Sequence, residues 1–303
     1  MKRLLSFLAV FLFVSTLLFA EGIRERTTTP AEPVSGSSVW KITKDGNIMF
    51  LGGSIHILRE NDFPLPREFD YALSESDVLV LEANIEQMQE PEIAFYFLAQ
   101  MFLPGDLLLQ DMLDPEIYEL LVSVCIDFGL SIDDFVKFKP AIVVTMLTMM
   151  SIHEYGFVQE GVDHYFLEKA KDNNIPTVFL ESVQSQINLI TTMGEGYENE
   201  FVLYSILDME NTDESLELLL TDWKTGSAIV SDASLISMKE DWPQIYKSMI
   251  TDRHDAWLPQ IEEFFASGQV HFIIAGLFHM HGPDGLLRTL EDLGYSVEQV
   301  IIE

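Results

Sequence analysis

The chain has 303 residues, 48% hydrophobic and 11% aromatic. That is enough apolar material for a sizeable core in one large or two small domains, and it excludes a disordered chain. Lys and Arg number 17 against 49 Asp and Glu, a formal charge of −32 that repels nucleic-acid phosphates and anionic membrane surfaces and attracts cations or metal ions.

In chain order, Met1-Lys-Arg3 precedes an apolar run, Leu4 to Ala20, interrupted only by Ser6, Ser15 and Thr16. This predicts a secretory signal peptide over residues 1–20 and an exported protein: periplasmic, extracellular, or membrane-anchored and facing outside. An uncleaved anchor is the alternative, since the run is near the lower limit of a membrane span. Residues 21–38, polar and carrying Pro30 and Pro33, read as a flexible leader. The folded part is expected as a single domain over 39–303.

Val39-Trp-Lys-Ile-Thr43, the turn Asp45-Gly46 and Ile48-Met-Phe-Leu51 predict a β-hairpin. A helix is expected near 67–75 and a buried strand at Asp77-Val-Leu-Val-Leu-Glu82. Helical spacing follows over 90–102 and 115–128, with Pro115 in a first turn after Asp114. The stretch 139–150 is apolar nearly all round and predicts a central buried helix. The only cysteine, Cys125, lies on an apolar helical face; one thiol gives no internal disulfide, and the setting is that of a core residue. After a helix at 161–171 come a strand at 176–181, helices to about 265, a strand at 270–275, a helix at 283–293 and a last strand within 294–302. The order predicts an α/β fold with a mixed, largely parallel central sheet. The N- and C-terminal parts form that sheet, and a large helical insertion occupies about 86–265.

Four polar groups end predicted apolar strands: His56, Glu82, Glu181 and His279. Two of them close the same pattern, Gly53-Ser-Ile-His56 and Gly276-Leu-Phe-His279. Ligands of open α/β sheets bind outside the carboxyl ends of strands, so parallel neighbours would bring these groups to one crevice. Two imidazoles and a carboxylate form a donor set for a divalent ion such as Mn, Co or Zn, and a second carboxylate could serve as base. Gly53 and Gly276 would let the chain turn or approach closely. His281, two residues beyond His279, is either an extra ligand or a supporting or surface group. Arg253, a scarce cation, could bind an oxyanion or a substrate carboxylate, or form an ordinary salt bridge. No nucleophile elbow, P-loop, His-Glu-x-x-His or dinucleotide fingerprint is present.

Taken together, Leu51-Gly-Gly-Ser-Ile-His-Ile-Leu58, Ser76-Asp-Val-Leu-Val-Leu-Glu82, Gly161-Val-Asp163, Leu180-Glu-Ser-Val-Gln-Ser-Gln186, Arg253 with Trp257, and Ala275-Gly-Leu-Phe-His-Met-His281 resemble the TraB/PrgY/GumN family, which includes TIKI-type metalloproteases. More distantly the chain is similar to erythromycin-esterase-like and ChaN-like proteins. The resemblance implies a divalent-metal site on His56, Glu82 and His279, with Asp163 and Gln186 among the supporting residues, and a peptide or protein substrate. Where the family usually has asparagine after the arginine, this chain has His254. The expected function is an exported metal-dependent hydrolase, most simply a peptidase, with Glu181 as fourth ligand or base and Arg253 beside it. The alternatives are a non-catalytic protein that sequesters a peptide, haem or other ligand in the same crevice, and an α/β domain whose histidines are only structural.

Overall fold

The computed structural model describes residues 36–157, 159–209 and 212–302. The expected signal segment and most of the expected leader lie outside the described residues. Six strands form one sheet: β1 (Val39–Lys44), β2 (Asn47–Ser54), β4 (Val78–Leu81), β6 (Thr177–Phe179), β7 (His271–Gly276) and β8 (Ser296–Gln299). A separate two-stranded ribbon pairs β3 (Ile57–Leu58) with β5 (Gln159–Glu160). The order across the large sheet is β6-β4-β7-β2-β1-β8. Strands β6, β4, β7 and β2 run parallel, whereas β1 is antiparallel to both β2 and β8.

Local chemistry accounts for the pattern. Asp45 and Gly46 both take positive φ, 51° and 88°, as a two-residue hairpin turn requires. The interior strands are apolar on both faces: all four residues of β4 and all six of β7 are buried. Side chains alternate between the faces. Met49, Leu51, Val78, Val80, Ile273 and Ala275 pack with Trp257, Ile261, Leu286 and Leu290. Phe272 points the other way, where Phe69, Phe166 and Trp223 gather with ring centroids 5.7–6.2 Å apart. Helices therefore cover both faces: α4 (Asp252–Ala266) and α6 (Leu286–Asp292) on one, α1 (Arg67–Ser74), α2 (Val162–Asp172) and α3 (Thr212–Thr225) on the other. The four-residue α5 (Leu277–Met280) follows β7 directly.

Among the described residues the chain divides into two compact units. One holds the strands: residues 36 to Ala83, Val158–Glu181 and Glu214–Glu303. The other, Asn84–Phe157 with Ser182–Asp213, is helical. Pro91, Pro115 and Pro140 each open a helix there, where a missing N–H costs nothing. The helix Pro140–Glu154 has eleven buried residues and is the centre of that unit. Ile142 packs against Ile93, Phe97, Val183, Ile187 and Ile190. Cys125 is fully buried in the helix Pro115–Asp127, and burial pushes its thiol up to about 11, an inert core residue. Among the described residues no helix is long and apolar enough to cross a membrane.

Candidate functional site

The carboxyl ends of four adjacent parallel strands carry the site. Ser54 ends β2 opposite Gly276 at the end of β7, and His56 lies two residues on. Glu82 follows β4 directly, and Glu181 follows β6 by two residues. The Glu181 N–H donates to the Glu82 carbonyl at 2.8 Å, so the two chains stay side by side beyond the strands. After β7 the single turn of α5 folds His279 back over the sheet end.

Gly276 is where the groups meet. A Cβ built on it would lie 3.4 Å from Glu82 Oε1, 3.6 Å from His56 Nε2 and 3.7 Å from His279 Cδ2. Its φ of −50° is open to any residue, and those distances are ordinary van der Waals contacts, so a Cβ there would sit against all three groups. Its N–H donates to Glu82 Oε1 at 2.6 Å. At Gly53 a Cβ would come within 2.7 Å of the Leu277 Cδ1 methyl, which would have to shift to admit it.

Each imidazole is held by its outer nitrogen. His56 Nδ1 donates to Asp163 Oδ1 at 2.7 Å, and Ser54 Oγ donates to the same oxygen at 3.1 Å. Asp163 stands in the first turn of α2, which docks by its backbone: Val162 N–H donates to the Ile55 carbonyl at 3.0 Å. Gly161 permits the approach, since a Cβ there would fall 2.2 Å from the His56 carbonyl carbon and the Ile55 oxygen. His279 Nδ1 meets His254 Nε2 at 2.9 Å, and His254 Nδ1 meets the Asp284 carbonyl at 2.8 Å. Both site imidazoles thus turn Nε2 toward the glutamates.

Arg253, in the first turn of α4, lies among them. Its guanidinium stacks over Trp257, 4.5 Å from the ring centroid. It donates to His279 Nε2 at 2.7 Å, to Glu82 Oε2 and to both oxygens of Glu181. One turn earlier, Lys247–Thr251 is π-helical, a distortion frequent beside functional sites.

The charges separate the two histidines. Burial works against a charged His56, yet Asp163 outweighs it and the pKa rises. Burial and the Arg253 cation together hold His279 well below the ordinary histidine value. Burial alone would raise Glu82, but Arg253, the two histidines and the Gly276 N–H keep it strongly depressed and ionised. Environments that push neighbouring titratable groups apart suit them to opposite acid–base roles.

Of the residues expected from sequence, the structure gathers His56, Glu82, Glu181, Arg253, His279, Gly276 and Asp163. Gln186 is buried in the helical unit. His281 does not join the cluster. Its ring stands edge-on to Trp40 at 5.3 Å, and it lines a separate cavity of about 650 Å³ with Trp40, Asp232 and Arg288. Three contributors were not expected: Ser54, Gly161 and His254. Ser54 and Gly161 sit inside the motifs of the expected site and were there to be found. His254 was marked in the sequence only by standing beside Arg253 where the resembled family has asparagine, and its partners lie 25 and 30 residues away.

The donors suit a divalent ion chemically, with two Nε2 positions and a carboxylate whose partners fix their orientation. Among the described residues, however, no three His, Cys, Asp or Glu side chains stand close enough together to hold an ion. The Arg253 guanidinium stands among them, hydrogen-bonded to His279, Glu82 and Glu181.

The protein is similar to the uncharacterized protein YbaP of Escherichia coli (strain K12), 23% identical over 267 residues that span 82% of this chain and 90% of the relative. YbaP of Shigella flexneri is 22% identical over the same shares. No solved structure matches the chain. The model of the TraB/PrgY/gumN family matches residues 38–299, strand β1 through strand β8, and the chain belongs to that family.

Proposed function

We propose that this protein is an exported metal-dependent hydrolase, a peptidase in its simplest form, with His56, Glu82 and His279 as ligands of a divalent ion. The observation that carries the reading is the convergence at Gly276: Glu82 Oε1, His56 Nε2 and a carbon of the His279 ring within 4 Å of one point. Their outer partners, Asp163 and His254, are the kind that orient metal-binding histidines. A bound ion would supply Lewis-acid polarisation of a carbonyl and activation of water. Glu82 stays ionised for it, and the Gly276 N–H fixes the carboxylate's orientation. Once Arg253 swings off His279 and Glu82, its guanidinium is available for an oxyanion or a substrate carboxylate. Glu181, released from the same guanidinium, can take up a proton as base or complete the ligand set.

A second reading, a non-catalytic binder, is favoured by one observation. Arg253 pairs with both Glu82 and Glu181, so with the guanidinium in this position neither carboxylate is available as a base. One experiment separates the two. Metal content and calorimetric titration with Mn²⁺, Co²⁺ and Zn²⁺ are measured on the wild type and His56→Ala, beside turnover of a peptide library with and without chelator. Stoichiometric metal, lost in His56→Ala, with chelator-sensitive turnover is the expected outcome. No metal uptake and no difference on mutation would sink the hydrolase reading. Absorption spectra with added haem test the binder.

A further inference from the structure

His254 is 4% exposed, and both its ring nitrogens have single partners within the fold. Four groups stand in a row: the Arg253 guanidinium, His279, His254 and the Asp284 carbonyl. The ends of this row are chemically fixed. A guanidinium only donates hydrogen bonds, and a carbonyl only accepts them. His279 Nε2 must therefore carry a lone pair toward Arg253, which leaves the His279 proton on Nδ1. His254 Nε2 must accept that Nδ1–H, which leaves the His254 proton on Nδ1, pointing at the Asp284 oxygen. Any other placement sets two N–H groups, or two lone pairs, against each other at some link.

We propose that His254 is a positioning residue that locks His279 in its Nδ1–H tautomer and so keeps the His279 Nε2 lone pair turned into the site when Arg253 leaves it. The consequence for ion binding rests on the divalent-ion reading above; the tautomer does not. Two ends of the row set it independently: Arg253 faces Nε2 directly, and the Asp284 carbonyl acts on Nδ1 through His254. With the guanidinium gone, the second end still holds the proton on Nδ1. Alanine at position 254 breaks that end: it leaves a buried N–H and a buried carbonyl without partners, and Arg253 alone then keeps the proton off Nε2.

The test is ¹⁵N NMR of the imidazoles in histidine-labelled protein stripped of metal, comparing the wild type, Arg253→Gln and Arg253→Gln/His254→Ala, followed by Mn²⁺ titration of all three. In the wild type and in Arg253→Gln His279 is expected wholly as the Nδ1–H form. The double variant is expected to show mixed tautomers and to bind Mn²⁺ about 10–100-fold more weakly than Arg253→Gln. A His279 spectrum unchanged in the double variant overturns the proposal. So does a mixed tautomer in Arg253→Gln, the variant that decides the matter if the double variant does not fold. If the wild type takes up no Mn²⁺ while the tautomers behave as expected, the divalent-ion reading fails and the role of His254 stands.

Discussion

Arg253 brings a full positive charge into a largely buried place, and the cost of stripping its water is offset chiefly by the opposite charges of Glu82 and Glu181. The dependence is mutual: without the guanidinium, two neighbouring carboxylates lose their counter-charge. Arg253→Ala should therefore lower stability by about 3–5 kcal/mol, the usual cost of breaking a buried ion pair from one side. A divalent ion should recover much of it, since a ligand at a hundred times its Kd adds about 2.7 kcal/mol. Denaturant unfolding of the variant with and without Mn²⁺ checks this; a destabilised variant that Mn²⁺ leaves unmoved would count against an ion site beneath the arginine. At this scale the sequence was readable where polar residues break an apolar strand pattern, as His56, Glu82, Glu181 and His279 do. It was unreadable where a residue's role comes from a partner remote in the chain. His254 stood out only as a departure from the resembled family's asparagine, and its role appears once Asp284 and His279 are in place; His281, two residues from His279, is turned toward Trp40 instead.

The elements do the aligning. Parallel pairing of β2 with β7 sets Ser54 opposite Gly276, and pairing of β4 with both β7 and β6 brings Glu82 and Glu181 to the same edge. Helix α2 supplies Asp163 only because its first turn rests on the backbone of residues 55 and 56. Gly161 is the contact point. Gly161→Ala should push α2 away, destabilise the protein by about 1–3 kcal/mol as overpacked substitutions do, and break the His56–Asp163 hydrogen bond. Unfolding curves and the His56 ring ¹⁵N shifts measure both effects; a stable variant with an unchanged His56 would show that α2 can give way freely. The strands themselves were legible from apolar runs and Asp-Gly punctuation. The two-residue ribbon of β3 and β5 was not, because so short a pairing leaves no periodicity.

Across the whole molecule the excess of acid over base governs the response to pH. Asp62 is buried and bonded to Lys224 at 2.6 Å and to Arg59. Burial alone would raise its pKa, but these partners outweigh burial and lower it, as Arg253 and its neighbours do for Glu82. A folded pKa beneath the unfolded one adds stability that is complete above about pH 4 and is lost as pH falls through the folded value. Asp62→Asn should be less stable at neutral pH by about 1–3 kcal/mol, the scale of charged hydrogen bonds. The two proteins should converge as pH drops below about 4. Unfolding free energies from pH 7 to pH 2 give the comparison, and parallel curves would remove Asp62 from the acid response.

By itself the sequence determined the class of fold, the six strands of the large sheet and most helices, because hydrophobic periodicity and turn residues are local properties of the chain. It also marked four strand-end groups, since a polar residue closing an apolar strand stands out within a few positions. Only the tertiary structure decided which strands are neighbours, that Arg253 takes the centre of the cluster, that His254 joins it and that His281 leaves it. Those outcomes depend on register and on hydrogen-bond partners up to 194 residues apart, as Gly276 is from Glu82, and no local pattern encodes a distance of that kind.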